Sequence, residues 1–120
     1  MNNILEDQLV KKYPMLCKNY HGDPTMTCFA FGFQCGDGWY YIIDKALEKI
    51  QKISNDVGLE VTIAQVKQKF NMLRIYVDFE VGARGEKIQQ AIHQIHSIIN
   101  QAEEESAHTC ERTGLKKTDQ

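Results

Sequence analysis

The sequence has few of the features that would place a chain outside the ordinary globular class. It contains only two prolines in 120 residues. None of its apolar runs approaches the ~20 residues that a membrane-spanning helix needs, so we expect no membrane association. Hydrophobic residues make up 42% of the chain and charged residues 25%, and this composition excludes a disordered or fibrous protein.

Positive charge is also scarce. The 14 Lys and Arg residues are outnumbered by 16 Asp and Glu residues. This balance excludes the global positive field that draws proteins to nucleic acid without sequence preference. We therefore do not expect nucleic acid as a partner, unless a local basic patch supplies the charge.

The N-terminal segment MNNILEDQLVKKYP lacks the basic region and the continuous apolar region of a secretory signal. We therefore expect a cytoplasmic protein whose four cysteines stay reduced rather than forming two disulfides. No C-x-x-C pair occurs, so a structural zinc site built from Cys35, His108 and Cys110 has little support. We expect no metal and no cofactor. His93 and His96 lie three residues apart, but no carboxylate completes a known metal-binding pattern around them.

Length and hydrophobic periodicity predict one α+β domain over residues 1–106, followed by a polar C-terminal tail over residues 107–120. Helices are expected to pack on a small antiparallel β-hairpin sheet, in the order α-α-α-β-β-α. A sheet of two strands is marginal by itself and is often completed by a second copy, so we expect a homo-oligomer. The predicted helices are 3–13, 24–31, 37–54 and 86–106, and the predicted strands are 59–70 and 73–79.

The predicted hairpin has a two-residue loop at Asn71 and Met72, because Asn tolerates the positive φ that such loops need. This loop pairs Phe70 with Leu73. Strand alternation places Thr62, Ala64, Val66 and Phe70 on the apolar face, and Val61 and Ile63 with Gln65, Lys67 and Lys69 on the polar face. On the polar face it places Lys69 opposite Arg74, Lys67 opposite Tyr76, and Gln65 opposite Asp78.

Like charges directly opposite each other on two strands destabilise the strand pairing. The presence of Lys69 opposite Arg74 therefore indicates that these two cations have a function. The lysines and the arginine would suit a phosphate, and the ring of Tyr76 would suit an attached base. The alternative is a solvated face on which long cations splay apart. We identify Gln65, Lys67, Lys69, Arg74 and Tyr76 as candidate ligand-binding residues.

A second candidate site is the turn Gly36-Asp37-Gly38-Trp39, directly before the predicted central helix. The glycines would let a ligand approach the unpaired N–H groups of the helix start, which favour anions. Asp37 is predicted to cap that helix, and Trp39 would suit stacking on a flat ligand. The alternatives are that the glycines only form a sharp turn and that Trp39 is a core residue.

Several segments resemble a family of small proteins that are encoded widely by bacteriophages and prophages. They are CGDGWYYIIDK, QVKQKFNMLRIY, KKYPML, GDPTMTCFAFGF and QAEEESAHTCERTG, and the resemblance covers about three-quarters of the chain. The chain departs from the family at Asn71, where the family has glycine, and at Thr113, where it has the second cysteine of C-x-x-C-G. The resemblance implies no settled enzymatic activity.

Together with the basic face, the resemblance predicts a non-enzymatic, phage-encoded binding protein. Its partner would be a small anionic, nucleotide-derived ligand, such as a cyclic-nucleotide messenger of host immune signalling, which the protein would sequester as an anti-defence sponge. The alternative is a protein or nucleic-acid interaction module that inhibits a host factor through the same face. A third possibility is an enzyme acting on a nucleotide, with Asp37 or a histidine as the base.

Overall fold

The computed structural model of the protein describes residues 1–117. No helix in this part of the chain is long and apolar enough to cross a membrane. Two short 3₁₀ helices cover Cys28–Phe31 and Asp37–Trp39. The α-helices are α1 (Asn3–Lys12), α2 (Tyr40–Val57) and α3 (Glu86–Ala107), and the strands are β1 (Phe33–Gln34), β2 (Val61–Lys69) and β3 (Met72–Phe79).

The α+β class is confirmed, but the purely antiparallel sheet is wrong. The sheet has the order β1-β2-β3, and β1 runs parallel to β2 with Phe33 paired to Val66. The antiparallel pair β2–β3 forms the rest of the sheet. The sequence could not indicate β1, because two residues are too few to show a strand periodicity.

The predicted helix over residues 24–31 is also wrong, and with it the order α-α-α-β-β-α. The chain turns after Asp23, whose carboxylate accepts hydrogen bonds from the N–H and the hydroxyl of Thr25. A separate 3₁₀ helix then begins after Thr27, whose hydroxyl accepts from the N–H of Phe29. These side chains accept hydrogen bonds from nearby backbone N–H groups in turns, and such turns compete with the hydrogen bonds of a continuous helix.

The hairpin forms as predicted but with a different loop. Phe70 and Asn71 are the loop residues, with φ values of 54° and 63°, and such a pair of positive values belongs to a type I′ turn. The loop therefore lies one residue earlier than predicted, and residues 65–69 of β2 each pair with a residue of β3 that lies two positions earlier than predicted. Lys67 lies opposite Arg74, Gln65 opposite Tyr76, and Lys69 opposite Met72.

A β-bulge in β2 decides which side chains are buried. The pairing with β3 is interrupted between Ile63 and Gln65, so that one extra residue is accommodated on β2. Val61 and Ile63 are consequently buried together with Val66. Strict alternation had placed Val61 and Ile63 on the polar face, and that assignment is wrong.

The core lies between the sheet and the helices α2 and α3. Helix α2 ends at Val57 and is capped by Gly58, which takes the left-handed conformation at φ 69°. Helix α1 is held to α2 through Asp44, which accepts hydrogen bonds from Lys12 and Tyr13. The largest fully buried side chains are Trp39, Phe29, Phe33, Leu9, Leu16, Ile43, Leu47, Ile50, Leu59, Ile63, Leu73 and Ile95.

Helix α3 also covers part of the outer edge of β3. The N–H of Leu73 donates to the hydroxyl of Ser106 at 2.8 Å, and the N–H of Ile75 donates to Glu103 at 3.4 Å. Ser106 is fully buried, although it is polar. Two side chains of α3 thus take the place of a further strand at this part of the edge.

The chain after α3 folds back on the domain. Thr109 pairs with Lys116, and the N–H of Cys110 donates to the carbonyl of Leu115 at 2.8 Å. The predicted division at residue 106 stays a prediction, and residues 118–120 of the predicted tail lie outside the described residues.

Candidate functional site

The hairpin residues identified from the sequence lie together on the outer face of β2 and β3. We call this surface the basic face; its members are Gln65, Lys67, Lys69, Arg74 and Tyr76. Directly paired residues of an antiparallel sheet point to the same side, so the pairs Lys67–Arg74 and Gln65–Tyr76 share this face.

Each lysine of the basic face stands over an aromatic ring. Lys67 Nζ lies 5.8 Å from the centroid of the Tyr76 ring, and Lys69 Nζ lies 5.6 Å from that of Phe70. The two aromatic residues are 43% and 81% exposed, respectively. Within residues 1–117, neither lysine has a carboxylate within 4.0 Å. The face therefore offers two cations together with two flat apolar surfaces.

Arg74 has a different role from the lysines. Its Nη1 lies 3.3 Å from Oε1 of Glu103 on α3, and the two side chains are only 27% and 18% exposed. The other oxygen of Glu103 accepts from the N–H of Ile75. Arg74 thus joins the hairpin to α3, and the two lysines are the cations of this face that are free to meet an anion.

Phe70 was missed as a surface residue. Strand alternation had placed it on the apolar face, but it is the first loop residue and its ring is exposed. No signal in the sequence marks it, because a bulky residue is rarely found at positive φ.

The glycine-rich turn is filled by the chain itself. The N–H of Gly36 donates to Oε2 of Glu111 at 2.7 Å, and the N–H of Gly38 donates to the carbonyl of Glu111 at 2.6 Å. A Cβ at Gly36 would overlap Glu111, and a Cβ at Gly38 would overlap the backbone of residues 110, 111 and 114. The glycines do permit a close approach, as expected, but the approaching group is the C-terminal segment of the same chain.

The roles expected of Asp37 and Trp39 differ from those observed. Asp37 makes no cap for α2, which begins at Tyr40, and its carboxylate accepts from the N–H of Asn2 at 2.7 Å. Trp39 is fully buried, and its indole N–H donates to the carbonyl of Thr109 at 3.0 Å. The geometry therefore supports the core alternative for Trp39.

Beside this turn lies an open cleft of about 460 Å³, lined by Met1, Gly36, Asp37, Glu111 and Arg112. The neighbouring Cys110 is a free thiol whose pKa is lowered to about 7. The main causes are hydrogen bonds from the side chain and backbone of Thr113, which stabilise the thiolate.

The other candidate ligands do not come together. Burial raises the pKa of both Cys17 and Cys35 to about 12. His96 packs against the ring of Phe79, with centroids 5.6 Å apart. Within residues 1–117, no group of three His, Cys, Asp or Glu side chains is placed to hold a metal ion.

Comparison of the chain with protein-family models, with curated proteins and with solved structures gives no match. The resemblance to the bacteriophage family therefore stays a prediction.

Proposed function

We propose that the protein is a non-enzymatic binding protein that sequesters a small anionic, nucleotide-derived ligand on the basic face. It would act in the cytoplasm of a bacteriophage-infected host, as an anti-defence sponge against immune signalling. The observation that carries the proposal is the pair of lysines, Lys67 and Lys69, each beside an exposed aromatic ring and without a carboxylate partner in residues 1–117.

This arrangement suits a phosphorylated nucleoside. A lysine ammonium forms charge-assisted hydrogen bonds to phosphate oxygens. The exposed face of Tyr76 can stack on a base, and stacking of this kind tolerates any base. Gln65 lies directly opposite Tyr76 and carries both a donor and an acceptor for a base edge.

The enzyme alternative assigns the base to Asp37 or to a histidine. The Asp37 carboxylate accepts a hydrogen bond from the N–H of Asn2 and belongs to the glycine-rich turn rather than to the basic face. The interaction-module alternative is favoured by one observation, the exposed ring of Phe70 at the hairpin tip. A protruding aromatic residue is a common anchor in protein interfaces.

A retention experiment separates these functions. The protein is incubated with a mixture of cyclic AMP, cyclic di-AMP and cyclic di-GMP, freed of unbound nucleotide and denatured, and the supernatant is analysed by mass spectrometry. Recovery of an intact nucleotide supports the sponge, and recovery of an altered nucleotide identifies an enzyme. Failure to retain any of the three contradicts this form of the proposal and favours the interaction module.

Variants test the location of the site. Lys67→Met should weaken nucleotide retention about tenfold, because it removes one charge-assisted contact. Lys49→Met is the matched control, since it removes the same charge from an exposed position on α2. Equal retention by the two variants would place the ligand elsewhere.

We also propose that the protein forms a homo-oligomer. A second copy is less needed to complete the sheet than in a two-stranded sheet, because β1 adds a third strand. Light scattering tests the proposal, and a mass of 13.8 kDa would identify a monomer.

A further inference from the structure

The outer edge of β3 is only partly covered. Strand residues turn their N–H groups alternately to the two sides, and Leu73 and Ile75 turn theirs outward, to Ser106 and Glu103 of α3. By the same alternation the N–H groups of Val77 and Phe79 also point outward. Within residues 1–117 neither of them donates to any acceptor.

Two hydrogen bonds elsewhere confirm this alternation. Ile63, the partner of Val77, donates its N–H to the carbonyl of Leu16, on the side away from β3. Glu80 donates its N–H inward, to the carbonyl of Glu60 on the chain leading into β2. Residues 77–79 therefore form what we call the open edge, with two outward N–H groups.

The open edge lies at the acidic end of the sheet. Asp78, in its middle, and Glu80, directly after it, are both exposed. Within the described residues Asp78 has no cation within 4.0 Å. The basic face lies toward the hairpin loop, so the outer side of the sheet is basic at one end and acidic at the other.

These charges disfavour a second copy of the chain on the open edge. If the β3 strands of two copies paired antiparallel about Asp78, that carboxylate would lie opposite the Asp78 carboxylate of the other copy. Pairing about Phe79 would place Asp78 of each copy opposite Glu80 of the other. A pair centred on Val77 would need the N–H of Ile75, which is already bonded to Glu103. Opposed like charges destabilise strand pairing, so the proposed homo-oligomer would not form through the open edge.

We propose that the open edge binds an extended segment of a partner protein in which Lys or Arg occupies alternate positions. The segment would add a fourth strand beside β3. The N–H and carbonyl groups of Val77 and Phe79 would supply the main-chain hydrogen bonds. The basic side chains of the segment would lie next to Asp78 and Glu80 on the outer face, and this complementarity selects the partner.

A designed peptide tests the proposal on the full chain. The probe is a fluorescein-labelled peptide of seven residues in which lysine alternates with valine, and binding is followed by fluorescence anisotropy. Asp78→Lys should weaken binding about tenfold, and should favour the corresponding glutamate–valine peptide. Asp56→Lys, at an exposed position of α2, makes the same charge change outside the open edge and should leave the preference unaltered.

A second measurement separates strand addition from simple charge attraction and needs no protein variant. The same lysine–valine peptide is N-methylated at the amides that would face β3, which keeps its charge but removes its hydrogen bonds. Its binding should be about tenfold weaker. Hydrogen exchange should also slow at the amides of Val77 and Phe79 when the unmodified peptide is bound. Equal binding of both peptides, or protection only at the hairpin loop, would overturn the proposal.

Discussion

Arg74 of β3 and Glu103 of α3 form a largely buried ion pair, with Nη1 and Oε1 3.3 Å apart. The same carboxylate accepts the N–H of Ile75, so one acidic side chain satisfies both an arginine and a strand edge. The sequence predicted Arg74 as a ligand-binding residue of an exposed face. The ion pair gives it a structural role and leaves the lysines as the main cations of the basic face.

We expect Arg74→Ala to destabilise the protein by about 1–2 kcal/mol, between the values typical of exposed and buried ion pairs. The substitution would leave the Glu103 carboxylate largely buried without its counter-charge. Urea denaturation measures the change. Arg84→Ala removes an arginine from an exposed position and should cost little. Equal effects of the two substitutions would show that the ion pair contributes nothing to stability.

Ser106 should be among the most sensitive polar positions of the chain. Its hydroxyl accepts the N–H of Leu73 and donates to the carbonyl of Glu103 in a fully buried setting. Ser106→Ala would leave the Leu73 N–H unpaired, at a cost of about 1–3 kcal/mol. Ser97→Ala, in an exposed position of the same helix, is the matched control. Faster hydrogen exchange at the Leu73 amide should accompany the loss, and unchanged exchange there would contradict this explanation.

The parts of the fold that could be predicted are those with a long periodic signal. Helix α3 shows its apolar stripe from Ile88 to Ala102, over about four turns, and the predicted range 86–106 agrees with the observed Glu86–Ala107. The alternation of apolar and polar residues also predicted the two strands of the hairpin and the short loop between them. The bulge between Ile63 and Gln65 and the two-residue strand β1 were not, because each depends on tertiary packing.

The candidate site could be predicted only in part, for a similar reason. Alternation in β3 identified Arg74 and Tyr76 as outward-facing. Sequence could not show that Glu103, almost thirty residues later, would reach Arg74. It also could not show that Glu111 would bind the N–H of Gly36. Such contacts depend on where distant segments pack, and local propensity carries no information on that.

Cys110 should be a selectively reactive thiol. Its pKa is lowered to about 7 by hydrogen bonds from Thr113, so the thiolate is lost only as the pH falls below about 7. Iodoacetamide should therefore modify Cys110 at a rate that rises with pH and has its midpoint near 7. The experiment uses a Cys28→Ser background, because Cys28 is an exposed free cysteine that would react as well. Buried Cys17 and Cys35, with pKa values raised to about 12, should stay unmodified.

Thr113→Val tests the cause of that reactivity. Removal of the hydroxyl takes away the largest contribution to the lowered pKa, so the midpoint of alkylation should move to higher pH. Valine keeps the shape of the side chain, although the variant also loses the hydrogen bond that the hydroxyl accepts from the N–H of Leu115 at 3.2 Å. A midpoint that stays near 7 would show that the hydroxyl does not stabilise the thiolate.

The last prediction concerns Phe70, which is held at φ 54° in the hairpin loop. A bulky residue in the left-handed region costs roughly 1–2 kcal/mol, whereas Asn adopts this conformation readily. We therefore expect Phe70→Asn to stabilise the protein by about 1 kcal/mol in urea denaturation. Phe31→Asn is the matched control, because Phe31 is an exposed phenylalanine without a positive φ, and it should bring no such gain.

The same variant shows why the strained residue is present. Strain at an exposed aromatic residue is typical of positions kept for binding rather than for stability. If the Phe70 ring stacks on the proposed ligand, Phe70→Asn should weaken nucleotide retention about tenfold while it raises stability. Raised stability with unchanged retention would limit the ligand surface to Lys67 and Tyr76. Lower stability would mean that contacts of the ring, such as the one with Lys69, outweigh the backbone strain.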